Sequence, residues 1–329
     1  MMNNILLKKE KYKFSNSKDF FVHIGYGVDN NFMRGMMTSI VSFCINNEKI
    51  EFYFHIITDN ISEENKNKLK KIAEQYKINI NIYIIDTNVF KKFPVFTHLP
   101  ISMYFRFMLP MLLIDVNKLF YIDADIICIK KANNLFEIDL GEYIIGAVPD
   151  QNDERSNILG LKNHIYFNSG MLIINIKEWN KIKFLEKATN LVSLNPKLFK
   201  LPDQDILNKI LKNKVKYLDT IFNCFVDYRN CRKSIRNENI ILLHFSALPK
   251  PWNVAWPISK ISNDFNRNLY AYYEDKTPWK NMPLEEPKTY KEISSYIKAL
   301  YNNRKYLKVF IWLLKYILVR VKYQLKKEK

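Results

Sequence analysis

Two aspartates interrupt a long apolar run at residues 119–129, which reads Leu-Phe-Tyr-Ile-Asp-Ala-Asp-Ile-Ile-Cys-Ile. Because burying an unpaired charge is costly, a core strand cannot carry both acids, and we expect it to end here at the rim of a sheet. Side chains at positions i and i+2 of an extended chain lie on one face. Asp123 and Asp125 are therefore expected to bind one divalent metal, Mn²⁺ or Mg²⁺. The alternative is a polar turn between two strands.

Strand and helix patterns alternate in the first quarter of the chain. Apolar stretches at 20–28, 51–58 and 78–85 predict strands. Between them, residues 32–44 have helical periodicity, and Ser62 followed by two glutamates predicts the start of a second helix. This alternation is typical of βαβ units, so we expect an α/β fold built on a parallel sheet.

The remaining segments continue the same mixture. Residues 99–114 predict a helix, and another helix is expected to begin after Pro202. Strands are predicted at 143–148, 164–175 and 240–243, the last of which ends at His244.

Glycine is scarce, with only seven in 329 residues. Gly25-Tyr26-Gly27 is the nearest approach to a glycine-rich phosphate loop, but Asn30 stands where the third glycine of that motif is needed. A Walker-type lysine motif is also absent from the sequence. If the protein handles phosphates, we expect it to use metal and lysine.

The formal net charge of +18 is concentrated at the C-terminus, where residues 303–329 hold nine lysines and arginines against Glu328 alone. Residues 306–325 predict an apolar helix, and lysines recur at every seventh position in and just after it, at Lys308, Lys315, Lys322 and Lys329. The apolar runs are too short to span a bilayer. We expect this helix to lie on an anionic membrane surface; the alternative is a packed helix with a solvated basic edge. The tail of residues 303–329 carries +8 of the +18, and the other +10 is spread over the rest of the chain, a distribution that does not favour a nucleic-acid partner.

The cysteines and the N-terminus bear on location. Cys44, Cys128, Cys224 and Cys231 have no C-x-x-C spacing, which favours a reduced, cytosolic setting. The N-terminal segment is polar and basic, without the apolar run of a signal peptide. We expect a polar extension over 1–19, a catalytic domain over 20–285 and a membrane-associating region over 286–329.

Four segments in order, between about residues 20 and 256, resemble retaining glycosyltransferases of family 8, notably the bacterial galactosyl- and glucosyltransferases of lipopolysaccharide and lipooligosaccharide assembly. They are Asp123-Ala124-Asp125, Asn168-Ser169-Gly170 with Asn175, Asp203-Gln204-Asp205, and His244 through Lys250-Pro251-Trp252. The resemblance implies a GT-A fold, that is, a Rossmann-like single domain with a mixed central sheet, followed here by basic amphipathic helices. It also implies Mn²⁺ and a UDP-galactose or UDP-glucose donor.

The resemblance further implies roles for individual residues. Asp123, Asp125 and His244 would bind the metal, and Lys250 would lie against the diphosphate. The nucleotide segment would comprise Gly27, Val28, Asp29, Asn31 and Phe32, where phenylalanine replaces the tyrosine usual in the family. Ala247 likewise replaces a glycine that is usual before the lysine. The residues expected at the donor are Arg106, Ala124, Asp150, Asn168, Asp203 and Gln204.

The expected reaction is transfer of a hexose from a UDP-sugar to a saccharide acceptor, with retention at the anomeric carbon. Lys250, Gln204 and Asp205 are the catalytic candidates. Retention requires either a covalent intermediate on Gln204 or Asp205, or attack from the face of departure, which we favour because an amide is a poor nucleophile. Asp203 and Asp205 could instead be helix caps. The acceptor is expected to be lipid-linked, and the enzyme to lie at the cytoplasmic face of the cell membrane. The rivals are a nucleic-acid-binding protein, a metal-dependent phosphohydrolase and an inactive membrane scaffold.

Overall fold

The computed structural model describes residues 5–15, 21–95, 100–150, 152–161, 164–226 and 239–327, with the side chains of 322–327 excepted. The chain divides into two compact units. The first contains the chain up to Cys224 together with the segment that ends at His244, and the second contains the segment that begins at Phe225 together with the chain from Phe245 onward.

The strands, numbered in chain order, are β1 (Leu6–Lys13), β2 (Val22–Gly27), β3 (Phe52–Thr58), β4 (Asn79–Ile85), β5 (Lys118–Ile122), β6 (Ile126–Cys128), β7 (Ile145–Pro149), β8 (Phe167–Asn175), β9 (Val215–Tyr217), β10 (Cys224–Phe225) and β11 (Leu242–His244). The α-helices are α1 (Met33–Asn46), α2 (Glu63–Tyr76), α3 (Leu109–Leu112), α4 (Asn133–Phe136), α5 (Asp153–Ile158), α6 (Ile176–Lys181), α7 (Phe184–Leu194), α8 (Pro202–Ile210), α9 (Asp264–Glu274), α10 (Tyr290–Asn302) and α11 (Tyr306–Lys327).

Within the described residues, eight strands form one sheet in the order β1-β4-β3-β2-β5-β8-β7-β9. Strands β2, β3, β4 and β5 run parallel, while β8 runs antiparallel to both of its neighbours. The predicted α/β fold with a mixed central sheet is therefore confirmed. Parallel strands place their carboxyl ends at one edge, so the residues that follow β2 and β5 meet there.

Strand β1 was not predicted from the sequence. It pairs antiparallel with β4 at the edge of the sheet, with Lys9 opposite Tyr83 and Lys11 opposite Asn81. A strand with one open edge tolerates lysines, which hinder further pairing. Because of these lysines, the segment was assigned from the sequence to a polar N-terminal extension.

The continuous helix predicted over 99–114 is wrong. Ile101–Phe107 is a 3₁₀-helix, and α3 is a single turn that begins beside Pro110. Proline has no N–H to donate, so Pro110 cannot extend the preceding turn and instead stands in the first turn of α3. The apolar periodicity was real, since Tyr104, Phe105 and Phe107 are all buried, but Pro110 divides the segment.

The second unit contains α9, α10 and α11. Thr289 is the N-cap of α10: its side chain accepts a hydrogen bond from the backbone N–H of Glu292, and the Glu292 carboxylate accepts one from the backbone N–H of Thr289. One edge of α11 packs on α10, where Trp312 joins Tyr296 and Leu300 in a buried cluster. Among the described residues, no helix is both long enough and apolar enough to cross a membrane.

Candidate active site

Asp123 and Asp125 lie in the turn that connects strands of two different sheets. Strand β5 belongs to the large sheet, and β6 pairs with β11 in a small one. The N–H of Ile126 donates to the carbonyl of Asp123 over 3.1 Å. The carboxylates converge because the chain turns here, so the prediction that they share one face of an extended strand was wrong. The polar turn and the acidic cluster, which were alternatives in the sequence, are the same feature.

His244 joins the aspartates through strand pairing. It is the last residue of β11 and lies opposite Ile126, the first residue of β6. Its Nε2 atom is 3.3 Å from Oδ1 of Asp125. Asp123, Asp125 and His244 each offer one ligand atom, and these atoms lie within 4.8 Å of one another. Two carboxylate oxygens and one imidazole nitrogen at this spacing fit a divalent ion such as Mn²⁺.

Arg106 offsets part of the negative charge. Its Nη2 lies 2.9 Å from Oδ1 of Asp123 and 3.3 Å from Oδ2 of Asp203. Its guanidinium stacks over the ring of Tyr121 at 4.5 Å, and the Tyr121 hydroxyl donates to Asp123 over 3.1 Å. Burial raises the pKa of Asp123 to about 6, while the attraction of Arg106 opposes this rise. Arg106 is thus bonded to two carboxylates within the protein.

The start of β8 and the start of α8 face each other beside this cluster. Oε1 of Gln204 accepts hydrogen bonds from the Asn168 amide and from the Ser169 backbone N–H, both at 3.0 Å. The Ser169 hydroxyl donates to Asp203 over 2.9 Å. Nε2 of Gln204 donates to Asp150, which follows β7, over 3.2 Å. Asp150, Asn168, Asp203 and Gln204 therefore form one hydrogen-bonded group with Arg106 and Asp123.

Asp205 points away from this group. It is 0% exposed and forms a two-pronged ion pair with Arg155. It also accepts hydrogen bonds from the Tyr166 hydroxyl over 2.6 Å and from the Leu201 N–H over 3.0 Å. Neither Asp203 nor Asp205 is the N-cap of α8, because both lie within the helix and the cap residue, Leu201, has no side-chain cap hydrogen bond. Both carboxylate oxygens of Asp205 are occupied within the protein.

The nucleotide segment lies where β2 ends. The N–H of Val28 donates to the carbonyl of Ile57 over 3.0 Å, and the Asp29 carboxylate accepts from the N–H of Asn31 over 2.8 Å. Burial raises the pKa of Asp29. Phe32 precedes the first residue of α1. A side chain at Gly27 would meet the Cβ of Phe105 at 3.0 Å, which explains why glycine stands there.

Two predicted residues remain. Ala124 is buried in the turn between the aspartates. Lys250 lies in the second unit, where its Nζ donates to the carbonyls of Phe245 over 2.7 Å and Ser246 over 3.3 Å.

Three further residues at the site were not predicted from the sequence. Asn223 bonds to His244, Tyr121 supports Asp123, and Arg155 binds Asp205. None of them belongs to a motif. Only the alternation of β5, which puts Tyr121 on the face of Asp123, was a signal in the sequence.

Comparison with known proteins identifies the class to which this fold and site belong. Residues 23–255 match the family model for glycosyl transferase family 8, and residues 267–320 match that for the C-terminal region of family 8. The chain belongs to glycosyltransferase family 8.

Its relatives are similar over nearly the whole length. A lipopolysaccharide 1,2-glucosyltransferase of Escherichia coli is 30% identical over 95% of this chain and 94% of its own. A lipopolysaccharide 1,3-galactosyltransferase of Salmonella typhimurium is 28% identical over 86% of this chain and 87% of its own. The fold is similar to that of the galactosyltransferase LgtC, crystallised with donor and acceptor sugar analogues, with a TM-score of 0.68 and 22% identity over 78% of this chain and 96% of that one.

Proposed function

We propose that the protein transfers galactose or glucose from a UDP-sugar to a saccharide acceptor of the lipopolysaccharide type, with retention and with Mn²⁺ as cofactor. The observation that carries the proposal is the convergence of Asp123, Asp125 and His244 beside the Asn168–Gln204 group. The acceptor class is supported by the names of the two lipopolysaccharide glycosyltransferases described above.

The proposed roles follow from donor and acceptor chemistry. A bound Mn²⁺ would supply positive charge opposite the leaving diphosphate. Asp29 and Asn31 would bind the nucleotide. Lys250 would donate to the diphosphate after exchanging its two backbone carbonyl partners for phosphate oxygens. Arg106, Asp150, Asn168 and Asp203 would hold the sugar hydroxyls.

The surroundings of Gln204 and Asp205 favour attack from the face of departure. Oε1 of Gln204 already accepts two hydrogen bonds at 3.0 Å, so this oxygen has little capacity to attack carbon. Asp205 could act as a nucleophile only by leaving Arg155, and breaking a buried ion pair costs about 3–5 kcal/mol. We therefore assign Gln204 to positioning the donor through its amide N–H groups, and Asp205 to holding α8.

We further propose that residues 286–329 attach a catalytic domain spanning 20–285 to the inner face of the cell membrane, where a lipid-linked acceptor would be found. Support comes from α11, on which Leu307, Phe310, Ile311, Leu314 and Leu318 are exposed. Lys308 and Arg320 are exposed on the same helix. Large apolar side chains and cations together suit the interface of an anionic bilayer.

The test of transfer chemistry is release of UDP from purified protein, without an acceptor, across a panel of UDP-sugars with and without Mn²⁺. We expect turnover of UDP-galactose or UDP-glucose that requires Mn²⁺ and falls to background in Asp125→Asn. Asp115→Asn, an exposed carboxylate elsewhere in the same unit, is the matched control and should retain activity. Absence of donor binding and turnover in the wild type would refute the proposal.

The test of membrane attachment is sedimentation with vesicles. The wild type should bind phosphatidylglycerol vesicles and not phosphatidylcholine ones. Replacing Phe310, Leu314 and Leu318 by serine should abolish binding without reducing UDP release. Equal binding by this variant and the wild type would exclude α11 as the attachment.

A further inference from the structure

Asn223 contacts both His244, a candidate metal ligand, and Asn168, a candidate sugar-binding residue. It follows the 3₁₀-helix Thr220–Phe222 and is 1% exposed. Its Oδ1 is 2.9 Å from Nδ1 of His244, and its Nδ2 donates to Oδ1 of Asn168 over 2.9 Å. One amide thus connects a candidate metal ligand to a candidate sugar-binding residue.

The backbone N–H of Gly170 determines which atoms donate and which accept in these two hydrogen bonds. The N–H of Gly170 donates to the side chain of Asn168 over 2.9 Å, and an N–H can only donate, so the Asn168 atom there is oxygen. The Asn223 atom bonded to this oxygen must then be its NH₂ group. Its carbonyl oxygen consequently faces His244, and Nδ1 of that ring must carry a hydrogen. In the neutral ring the lone pair is on Nε2, the atom beside Asp125.

The backbone N–H of Ser169 determines the direction of the hydrogen bond between Asn168 and Gln204. The N–H of Ser169 donates to Gln204, so the Gln204 atom there is Oε1, and the remaining Asn168 group, NH₂, donates to the same oxygen. The NH₂ of Gln204 is left facing Asp150. Two successive backbone N–H groups therefore set the polarity of one chain of side chains: His244, Asn223, Asn168, Gln204 and Asp150.

We propose that Asn223 is a positioning residue that holds His244 in the tautomer able to bind metal and aligns Asn168 against Gln204. The inference rests on the proposed function for its metal and its donor. Partners that orient a metal-binding histidine typically change metal affinity or activity about 10–100-fold when they are removed.

Two substitutions separate the two contacts. Asn223→Asp keeps an oxygen acceptor for His244 but loses the NH₂ that bonds Asn168, whereas Asn223→Ala loses both. We expect Asn223→Ala to weaken Mn²⁺ binding, measured by calorimetry without donor, about 10-fold or more. Asn223→Asp should bind Mn²⁺ about as tightly as the wild type but lower the kcat of UDP release. Asn79→Ala, which removes another buried amide of the same unit, is the control for general destabilisation and should change neither value.

The tautomer of His244 is read directly from ¹⁵N chemical shifts in metal-free protein. The wild type and Asn223→Asp should show a hydrogen on Nδ1, and Asn223→Ala should show a mixture. The proposal is overturned if Asn223→Ala keeps the wild-type tautomer and Mn²⁺ affinity, or if both variants lose Mn²⁺ binding equally. A wild type that binds neither Mn²⁺ nor a donor would refute the proposed function instead, and the tautomer measurement would still decide the role of Asn223.

Discussion

The candidate metal site leaves no room for a side chain at Gly170. A Cβ added there would lie 2.5 Å from Cε1 of His244 and 2.9 Å from both Oδ2 of Asp123 and Oδ1 of Asn168. We expect Gly170→Ala to push the metal-binding groups apart and to abolish Mn²⁺ binding in calorimetry, at a cost of about 1–3 kcal/mol of stability from overpacking.

Gly160 supplies the contrasting control. It has φ +66°, and the nearest group to an added Cβ is 3.8 Å away. Gly160→Ala should therefore cost about 1 kcal/mol of stability through backbone strain and leave Mn²⁺ binding intact. If the two variants behaved alike, the close packing around Gly170 would have no functional meaning.

The Arg155–Asp205 pair distinguishes a structural from a catalytic aspartate. Asp205→Asn leaves Arg155 buried without its counter-charge, and we expect a loss of about 3–5 kcal/mol in urea unfolding. Activity of the folded fraction should persist if attack comes from the face of departure. Inactive but fully stable Asp205→Asn would instead support Asp205 as a nucleophile. Glu178→Gln, which breaks the exposed pair with Lys181, is the control and should cost little.

Element by element, the sequence predicted what local periodicity determines. Strands β2, β3 and β4 and helices α1 and α2 were predicted to within a few residues, because apolar spacing and the Ser62 cap are local signals. Pairing between strands is not local, and the lysines of β1 leave little apolar pattern, so this strand was not predicted.

Prediction of the candidate site had the same limit: residues in local motifs could be singled out, and residues that act through distant partners could not. Asp123, Asp125 and His244 were singled out from motifs, and the structure brings their ligand atoms within 4.8 Å of one another. Asn223 and Arg155 act through partners 21 and 50 residues away and have no spacing that marks them.

Helix α11 carries a prediction at this scale. Trp312 is 7% exposed against α10, whereas Phe310, two residues earlier, is 62% exposed. We expect Trp312→Ala to release α11 from α10, since removal of a buried tryptophan costs about 3–5 kcal/mol. Limited trypsin digestion should then cut α11 faster, while Phe310→Ala should leave the rate unchanged. Equal rates in both variants would show that α11 is not held by Trp312.

At the scale of the whole molecule, we expect stability in acid to depend on buried histidines in the sheet as well as on Asp123 at its edge. His55, in the middle of β3, is 2% exposed, and its ring stacks against those of Tyr53 and His23, which also stack on each other. Its ring nitrogens face Nδ1 of His23 at 2.9 Å and the Tyr83 hydroxyl at 3.1 Å. The Lys9 ammonium lies 4.9 Å from the centre of the Tyr83 ring, so a positive charge is already close to His55 when its imidazole is neutral. Burial lowers the pKa of both histidines, that of His55 well below 6.5.

The sign of the effect follows from proton counts. Between the lowered pKa values and 6.5, the unfolded chain binds protons that the folded protein excludes, so stability falls as pH decreases, by about 1.4 kcal/mol per pH unit for each proton. Asp123 acts oppositely, because its raised pKa of about 6 lets the folded protein take up a proton that the unfolded chain does not hold until lower pH. The histidine contribution must therefore be isolated by difference. We expect urea unfolding between pH 7.5 and 5.5 to show a smaller loss of stability in His55→Gln than in the wild type, and His164→Gln, outside the cluster, to follow the wild type. A wild-type slope unchanged in His55→Gln would mean that the buried histidines do not limit stability in acid.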